Sequence, residues 1–136
     1  MSSGRLGLLA VAVVVVSAII AGLVVSGSPS EQRLLRADER RVSDLRQLSG
    51  SIQRYFVDTQ RLPPDLGTLV NGWVSTEVPR DPQTGQSYDY EIGDDRAYRL
   101  CAVFSRDAHA DRQSDFWSHD EGRHCYAFDY SDIVFD

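Results

Sequence analysis

Between Leu6 and Val25 the chain runs 20 residues without a charged side chain, and Ser17 is the only polar one. As a helix that stretch is about 30 Å long, the thickness of a bilayer's hydrocarbon core. A chain of 136 residues that opens on such a segment keeps about a hundred for a soluble core, enough for one small domain. The division expected is residues 1–30 as an N-terminal tail and transmembrane signal anchor, and 31–136 as one extracytoplasmic domain. A cleavable signal has a shorter apolar stretch of roughly 7 to 15 residues before its cut. Val24-Val25-Ser26-Gly27 would serve as that cut, which keeps a cleaved signal open as the alternative.

Charge narrows the class of partner. All 20 acidic residues lie beyond residue 30, together with all but one of the 14 basic residues. An acidic domain lacks the positive charge that displaces counterions from phosphates, so no nucleic-acid partner is expected. Every basic residue is Arg, which fits the codon usage of a GC-rich genome better than a phosphate-binding design. Orientation is contested by the charges themselves. Arg5 precedes the apolar run, while Arg33, Arg36, Arg40 and Arg41 follow it among Glu31, Asp38 and Glu39. A literal count would keep the C-terminal side inside. The short N-terminal tail, the two Cys and the acidic domain favour the reverse, with the N-terminus inside the bacterial cytoplasmic membrane and the domain outside.

Pro29 and Ser30 carry helix-start chemistry, and from Glu31 to about Val57 the pattern is helical. Leu34, Leu35, Val42, Leu45, Leu48, Ile52, Tyr55 and Phe56 make the apolar stripe. Arg36, Asp38, Glu39, Arg40, Asp44, Arg46, Gln47 and Arg54 are assigned to the solvated face. Gly50 costs about 1 kcal/mol relative to Ala in a helix and marks a bend or a close approach.

Beyond Asp58 the signals become short. Leu62-Pro63-Pro64-Asp65-Leu66-Gly67 is a rigid corner, Pro64 with Leu66, Leu69 and Val70 opens one short helical turn, and Asp81-Pro82-Gln83-Thr84-Gly85 is a turn. Tyr88, Tyr90 and Ile92, then Tyr98, Leu100, Ala102 and Phe104, alternate with polar residues at the period of half-buried strands. Gly93-Asp94-Asp95 turns one into the other, and His124 to Phe128 supplies a third strand after the turn at Asp120 to Arg123. The expected fold is α+β: a long amphipathic helix packed on an antiparallel sheet of about three strands.

The order of these pieces resembles the type IV pilin and type II secretion pseudopilin family. Asp44-Leu45 through Ile52, Tyr55-Phe56, Arg61-Leu62-Pro63 and Leu66 with Leu69 are similar to the helix end and "xLPxxLxxL" corner of major pseudopilins. Pro79-Arg80-Asp81-Pro82, Gly85, Tyr88 and Tyr90 are similar to the "P-x-DP-x-x-G-x-x-Y-x-Y" segment that follows it. The resemblance covers roughly residues 38 to 104 and implies a pilin-like build. The prepilin peptidase motif is missing, because Gly4 is followed by Arg5-Leu6 and the apolar run holds no Glu. An uncut, non-filamentous membrane anchor is therefore expected.

Cys101 and Cys125 fall in the second and third strands, where a disulfide between neighbouring strands is easy. The rival is a zinc site formed with His119 and His124, but no C-x-x-C is present and export favours oxidation. Asp107, Asp111, Asp115 and Asp120 supply oxygen ligands for a possible Ca2+ site, as the resembled family binds calcium in a C-terminal loop, although the loop text here differs. His109, His119 and His124 with Ser114 or Ser118 offer hydrolase residue types, yet nothing like G-x-S-x-G holds a Ser, and no catalysis is expected. Trp73, Phe116 and Trp117 are the candidate anchors for a protein partner. The function expected is a non-enzymatic interaction or assembly protein, with the lipid bilayer and a membrane or secretion-related protein as partners and no cofactor. An exported Ca2+-binding or sensory domain is the alternative.

Overall fold

The computed structural model describes residues 3–26, 28–70, 72, 77–108 and 116–131. The chain divides into two compact units, residues 1–33 and 34–136. In the first, α1 (Ser3–Ser26) is a helix of 24 residues with no ionisable side chain but Arg5. Its side chains from Gly4 to Val25 are all exposed, Val16 at 53% and Val25 at 87% among them. It is long and apolar enough to cross a membrane, and its position suits an anchor or a signal sequence alike.

Helix α2 (Pro29–Thr59) starts in a reciprocal cap. The Glu31 N–H donates to Ser28 Oγ at 3.3 Å, and the Ser28 N–H donates to Glu31 Oε2 at 3.3 Å. Pro29 takes the first helical position, where its missing N–H costs nothing. Ser28, not Ser30, is thus the capping residue. At the far end the Gln60 N–H donates to the Phe56 carbonyl at 2.7 Å, with Gln60 in the left-handed region at φ 56°.

In the second unit, Leu45, Leu48, Ile52 and Phe56 are wholly buried on one face of α2. Leu35, expected on that stripe, stays 45% exposed. A larger correction concerns the polar face, because Asp38 and Asp44 are buried, as is Arg41. Gly50 marks no close approach: a Cβ there would meet nothing within 4 Å.

A 3-10 turn (Leu66–Val70) buries Leu66 and Leu69, and Asp65 caps it by accepting from the Thr68 N–H at 2.9 Å. The Asp81 turn forms as its residues demand. The Gly85 N–H closes on the Asp81 carbonyl at 2.8 Å, with Gly85 at φ 70°.

Strands β1 (Asp89–Ile92), β2 (Ala97–Phe104) and β3 (Gly122–Asp129) form one antiparallel sheet in the order β1-β2-β3. Tyr98, Leu100, Ala102 and Phe104 of β2 join Tyr126 of β3 and the buried face of α2 in a single core. The alternate residues face outward, with Arg99 between Glu91 and Ala127, Cys101 between Asp89 and Cys125, and Val103 beside Arg123. A helix on a small three-stranded antiparallel sheet is the α+β layer expected from the sequence.

Candidate functional site

A dense polar cluster grows from α2. Arg41 and Asp38, three residues apart, turn the same way into the fold, with side chains 4% and 6% exposed. Arg41 Nη1 donates to Asp38 Oδ1 at 2.6 Å and to Ser105 Oγ at 3.2 Å. Nε and Nη2 donate to the two oxygens of Asp81 at 2.6 and 3.2 Å, and Nη2 also donates to Gln83 Oε1 at 2.6 Å. A guanidinium has five donor hydrogens, and these bonds use all of them. Asp38 in turn accepts from the backbone N–H groups of Ser105 and Arg106 at 2.9 to 3.1 Å.

The electrostatics follow from this closure. Burial opposes the charge on Arg41, yet its bonds to Asp81 and Asp38 outweigh burial and its pKa is raised. Burial likewise pushes the Asp81 carboxyl up, but Arg41 and the N–H groups of Thr84 and Gln83 hold it down at about 2. One turn along, Tyr88 Oη donates to Asp44 Oδ2 at 2.9 Å, and Arg40 pairs with the other Asp44 oxygen at 3.1 Å. Burial and that bond raise the Tyr88 hydroxyl far above its usual pKa. The arrangement clamps two loops to a helix and leaves Arg41 no donor for a ligand.

On the outer face of the sheet, Cys101 and Cys125 are joined, at a Cα–Cα distance of 4.0 Å. Closing a loop 24 residues long contributes on the order of 3 kcal/mol in the chain-entropy picture. The bond also consumes the thiolates that the zinc alternative required. Arg123 Nη1 lies 3.1 Å from the Cys125 sulfur, while Nη2 reaches Glu91 at 2.6 Å and Asp89 at 3.3 Å. Arg99 pairs with the second Glu91 oxygen at 2.6 Å. Hydrogen bonds from Arg123 hold the Glu91 carboxyl below its usual range against its small desolvation, with Arg99 adding to the effect.

No family model, curated protein or solved structure matches the chain.

Of the expected anchors, Phe116 is 52% exposed, with its ring 5.3 Å from Phe128 and 5.8 Å from Tyr126. Trp117 is half-buried, packed on Tyr126 at 4.8 Å and covered by the Arg46 guanidinium at 5.2 Å. Trp73 lies outside the described residues, as do His109, Asp111, Ser114 and Asp115. Asp107 accepts from the Glu121 N–H at 2.7 Å, and Asp120 is exposed. Among the described residues, no group of three His, Cys, Asp or Glu could hold a metal ion.

His119 is 3% exposed and stacks flat on Phe104, ring centroids 3.6 Å apart. Its main chain exchanges two hydrogen bonds with Ala108, at 2.9 and 3.1 Å. Among the described residues its Nδ1 is buried without a partner, and burial lowers the imidazole pKa. Its burial and its stack on Phe104 make it a packing group, 6.5 Å from His124.

Sequence reasoning missed the Asp38–Arg41–Asp81 cluster, though a signal was available. The steps 38, 41, 45, 48, 52 run 3, 4, 3, 4, so Asp38 and Arg41 simply extend the buried stripe. Residue polarity placed Asp38 on the wrong side; periodicity had the right answer.

Proposed function

We propose that this chain is a membrane-anchored, extracytoplasmic interaction or assembly protein of pseudopilin-like build, without catalytic activity. The observation that carries the proposal is the pairing of an apolar helix, exposed along its length, with a domain whose two cysteines form a disulfide. Such a helix buries its side chains in lipid, and a disulfide of this kind persists in an oxidising compartment. The chain order adds support: a long helix, a Pro-bearing corner, the Asp81 turn and a hairpin follow one another as in the resembled family. The non-enzymatic part draws support from Arg41, whose donors are all spent inside the fold.

In this reading α1 stays attached, the N-terminus remains in the cytoplasm, and the domain meets a membrane or secretion-related protein outside. Phe116 and Trp117 are the surface it offers. A phosphatase that works only outside the cytoplasm, fused after Asp136, is expected to be active. The membrane-extracted protein is expected to keep residues Leu6 to Val25 by mass spectrometry. A silent fusion reverses the topology, and a chain that begins at Arg5 or after Val25 removes the uncut anchor.

A further inference from the structure

Strand β3 ends the sheet on one side, and its backbone polarity can be read from the register. The Gly93 N–H donates to the Ala97 carbonyl and the Tyr130 N–H to the Arg96 carbonyl, at 2.9 and 3.0 Å. In antiparallel pairing, hydrogen-bonded and non-bonded pairs alternate. Residues 98, 100, 102 and 104 of β2 therefore bond 128, 126, 124 and 122 of β3. The short 4.0 Å Cα separation of Cys101 and Cys125 agrees, since non-bonded pairs are the closer ones. It follows that Arg123, Cys125, Ala127 and Asp129 aim their N–H and C=O groups away from the sheet. Among the described residues these backbone groups have no hydrogen-bond partner. The opposite edge, β1, is only 4 residues long against 8 for β3.

We propose that a second copy of this chain adds to that edge, β3 against β3, antiparallel about a two-fold axis at Tyr126, to make one six-stranded sheet. The register is chosen by charge. Centred on Tyr126, it sets Arg123 opposite Asp129 of the second copy and Asp129 opposite its Arg123, while Cys125 faces Ala127. Only residues with outward backbone groups can bond across this edge, so the neighbouring registers with matched polarity are centred on 125 and 127. The first sets Glu121 against Asp129, two like charges, and the second sets Arg123 against Ser131. Only the Tyr126-centred register pairs opposite charges twice.

Both side chains are accessible, and Asp129 Oδ1 also accepts from the Ser131 N–H at 2.8 Å. Arg123 is 48% exposed and Asp129 is exposed. Among the described residues Arg123 Nη1 meets only the Cys125 sulfur, so one of its hydrogens remains for a carboxylate while Nη2 keeps Glu91 and Asp89. Half-exposed Phe116, packed on Tyr126 and Phe128, adjoins the same strand and would gain cover from the second copy. The edge is thus matched to itself in backbone, charge and apolar surface.

This inference names the partner for the assembly reading and rests on it. The test uses the full chain extracted in mild detergent, its mass read by light scattering. The wild type is expected to be a dimer. Asp129→Arg places two Arg pairs in opposition, and Arg123→Asp places two Asp pairs in opposition. Each alone is expected to weaken dimerisation by about tenfold or more, and an equimolar mixture of the two should recover a heterodimer. Ala127→Pro removes one outward N–H and sets a ring against the incoming strand, so it too should be monomeric. Unchanged near-ultraviolet circular dichroism in each variant keeps loss of fold apart from loss of contact. A monomeric wild type overturns the proposal, as does a dimer indifferent to all three substitutions, which would point to association through α1. Neither result touches the anchor, which the phosphatase fusion tests; conversely, an unanchored chain that still dimerises through β3 would leave this interface standing.

Discussion

Arg41 and Asp81 stand 40 residues apart in sequence and meet through two hydrogen bonds, Nε to Oδ2 at 2.6 Å and Nη2 to Oδ1 at 3.2 Å. The contact fastens the Asp81 turn to α2; Gln83 of the same turn and Ser105 from a further place in the chain complete it. Removing one member of such a buried set strands the charges that remain. Arg41→Met is therefore expected to destabilise the domain by about 3 to 5 kcal/mol. Arg41→Lys should not rescue it, because an ammonium offers three donors where five are used. Thermal melts of the extracted protein, compared with the wild type, check both; a loss below about 1 kcal/mol for Arg41→Met would show that water reaches the cluster.

The same contact sets an acid limit. Asp81 titrates at about 2 in the fold against an ordinary value of 3.8, so its charged form is favoured by folding. The stabilisation is fully present above pH 3.8 and is lost as the pH falls towards 2. It amounts to roughly 2 kcal/mol. Asp81→Asn should be less stable at neutral pH but lose less further stability across that window. Melting curves at a series of pH values give the slope directly, and an equal slope in both proteins would assign the acid loss elsewhere.

His119 works in the opposite range. Its imidazole is buried neutral, with Asp38 on α2 the nearby carboxylate, His124 on β3 the nearby imidazole, and Phe104 under the ring. A depressed His pKa means that the unfolded chain takes up the proton first. Stability is then highest above the ordinary value of 6.5 and falls as the pH drops below it. His119→Phe preserves the stack on Phe104 and should flatten that slope. By NMR the wild-type His119 ring should remain neutral at a pH where a free imidazole is half charged; a normal titration would contradict its burial.

Gly50 is a vacancy in a good helix. It lies in the interior of α2, and apart from its chain neighbours and the adjacent helix backbone no atom of the described residues stands within 4 Å of the Cβ it lacks. Gly50→Ala is expected to stabilise the protein by about 1 kcal/mol, through helix propensity and a less flexible unfolded chain. A destabilised variant would mean that this face of α2 is covered in the working protein.

The elements with their own local chemistry were legible in the sequence. Pro29 at the start of α2, the Asp81 to Gly85 turn, the hairpin at Gly93 and the Cys101–Cys125 pair all follow from residues within or beside the element concerned. Periodicity carries the burial of Asp38 and Arg41, but the partners that satisfy them are set by distant parts of the chain. Asp38 is a buried carboxylate because residues 105 and 106 bring it backbone donors, and nothing near residue 38 announces them. His119 gave a similar lesson. Its residue type suggested chemistry, whereas its place above Phe104 makes it packing. The apolar residues of β3 showed a strand, but only the pairing with β2 revealed which of its backbone groups point outward.

The closure around Arg41 also imposes an order of events. A chain made from its N-terminus completes α2 by residue 59, yet the acceptors that satisfy this guanidinium arrive at residues 81, 83 and 105. Until then Arg41 has only Asp38 beside it and must stay wet, so the first half of α2 has reason to remain unseated while its second half, carrying Leu48, Ile52 and Phe56, can begin to collect apolar neighbours. Contacts across such separations close late. The part of α2 nearest the apolar segment in sequence is therefore expected to settle last, and a nascent chain halted before Ser105 would carry a polar, undocked stretch just beyond its apolar one.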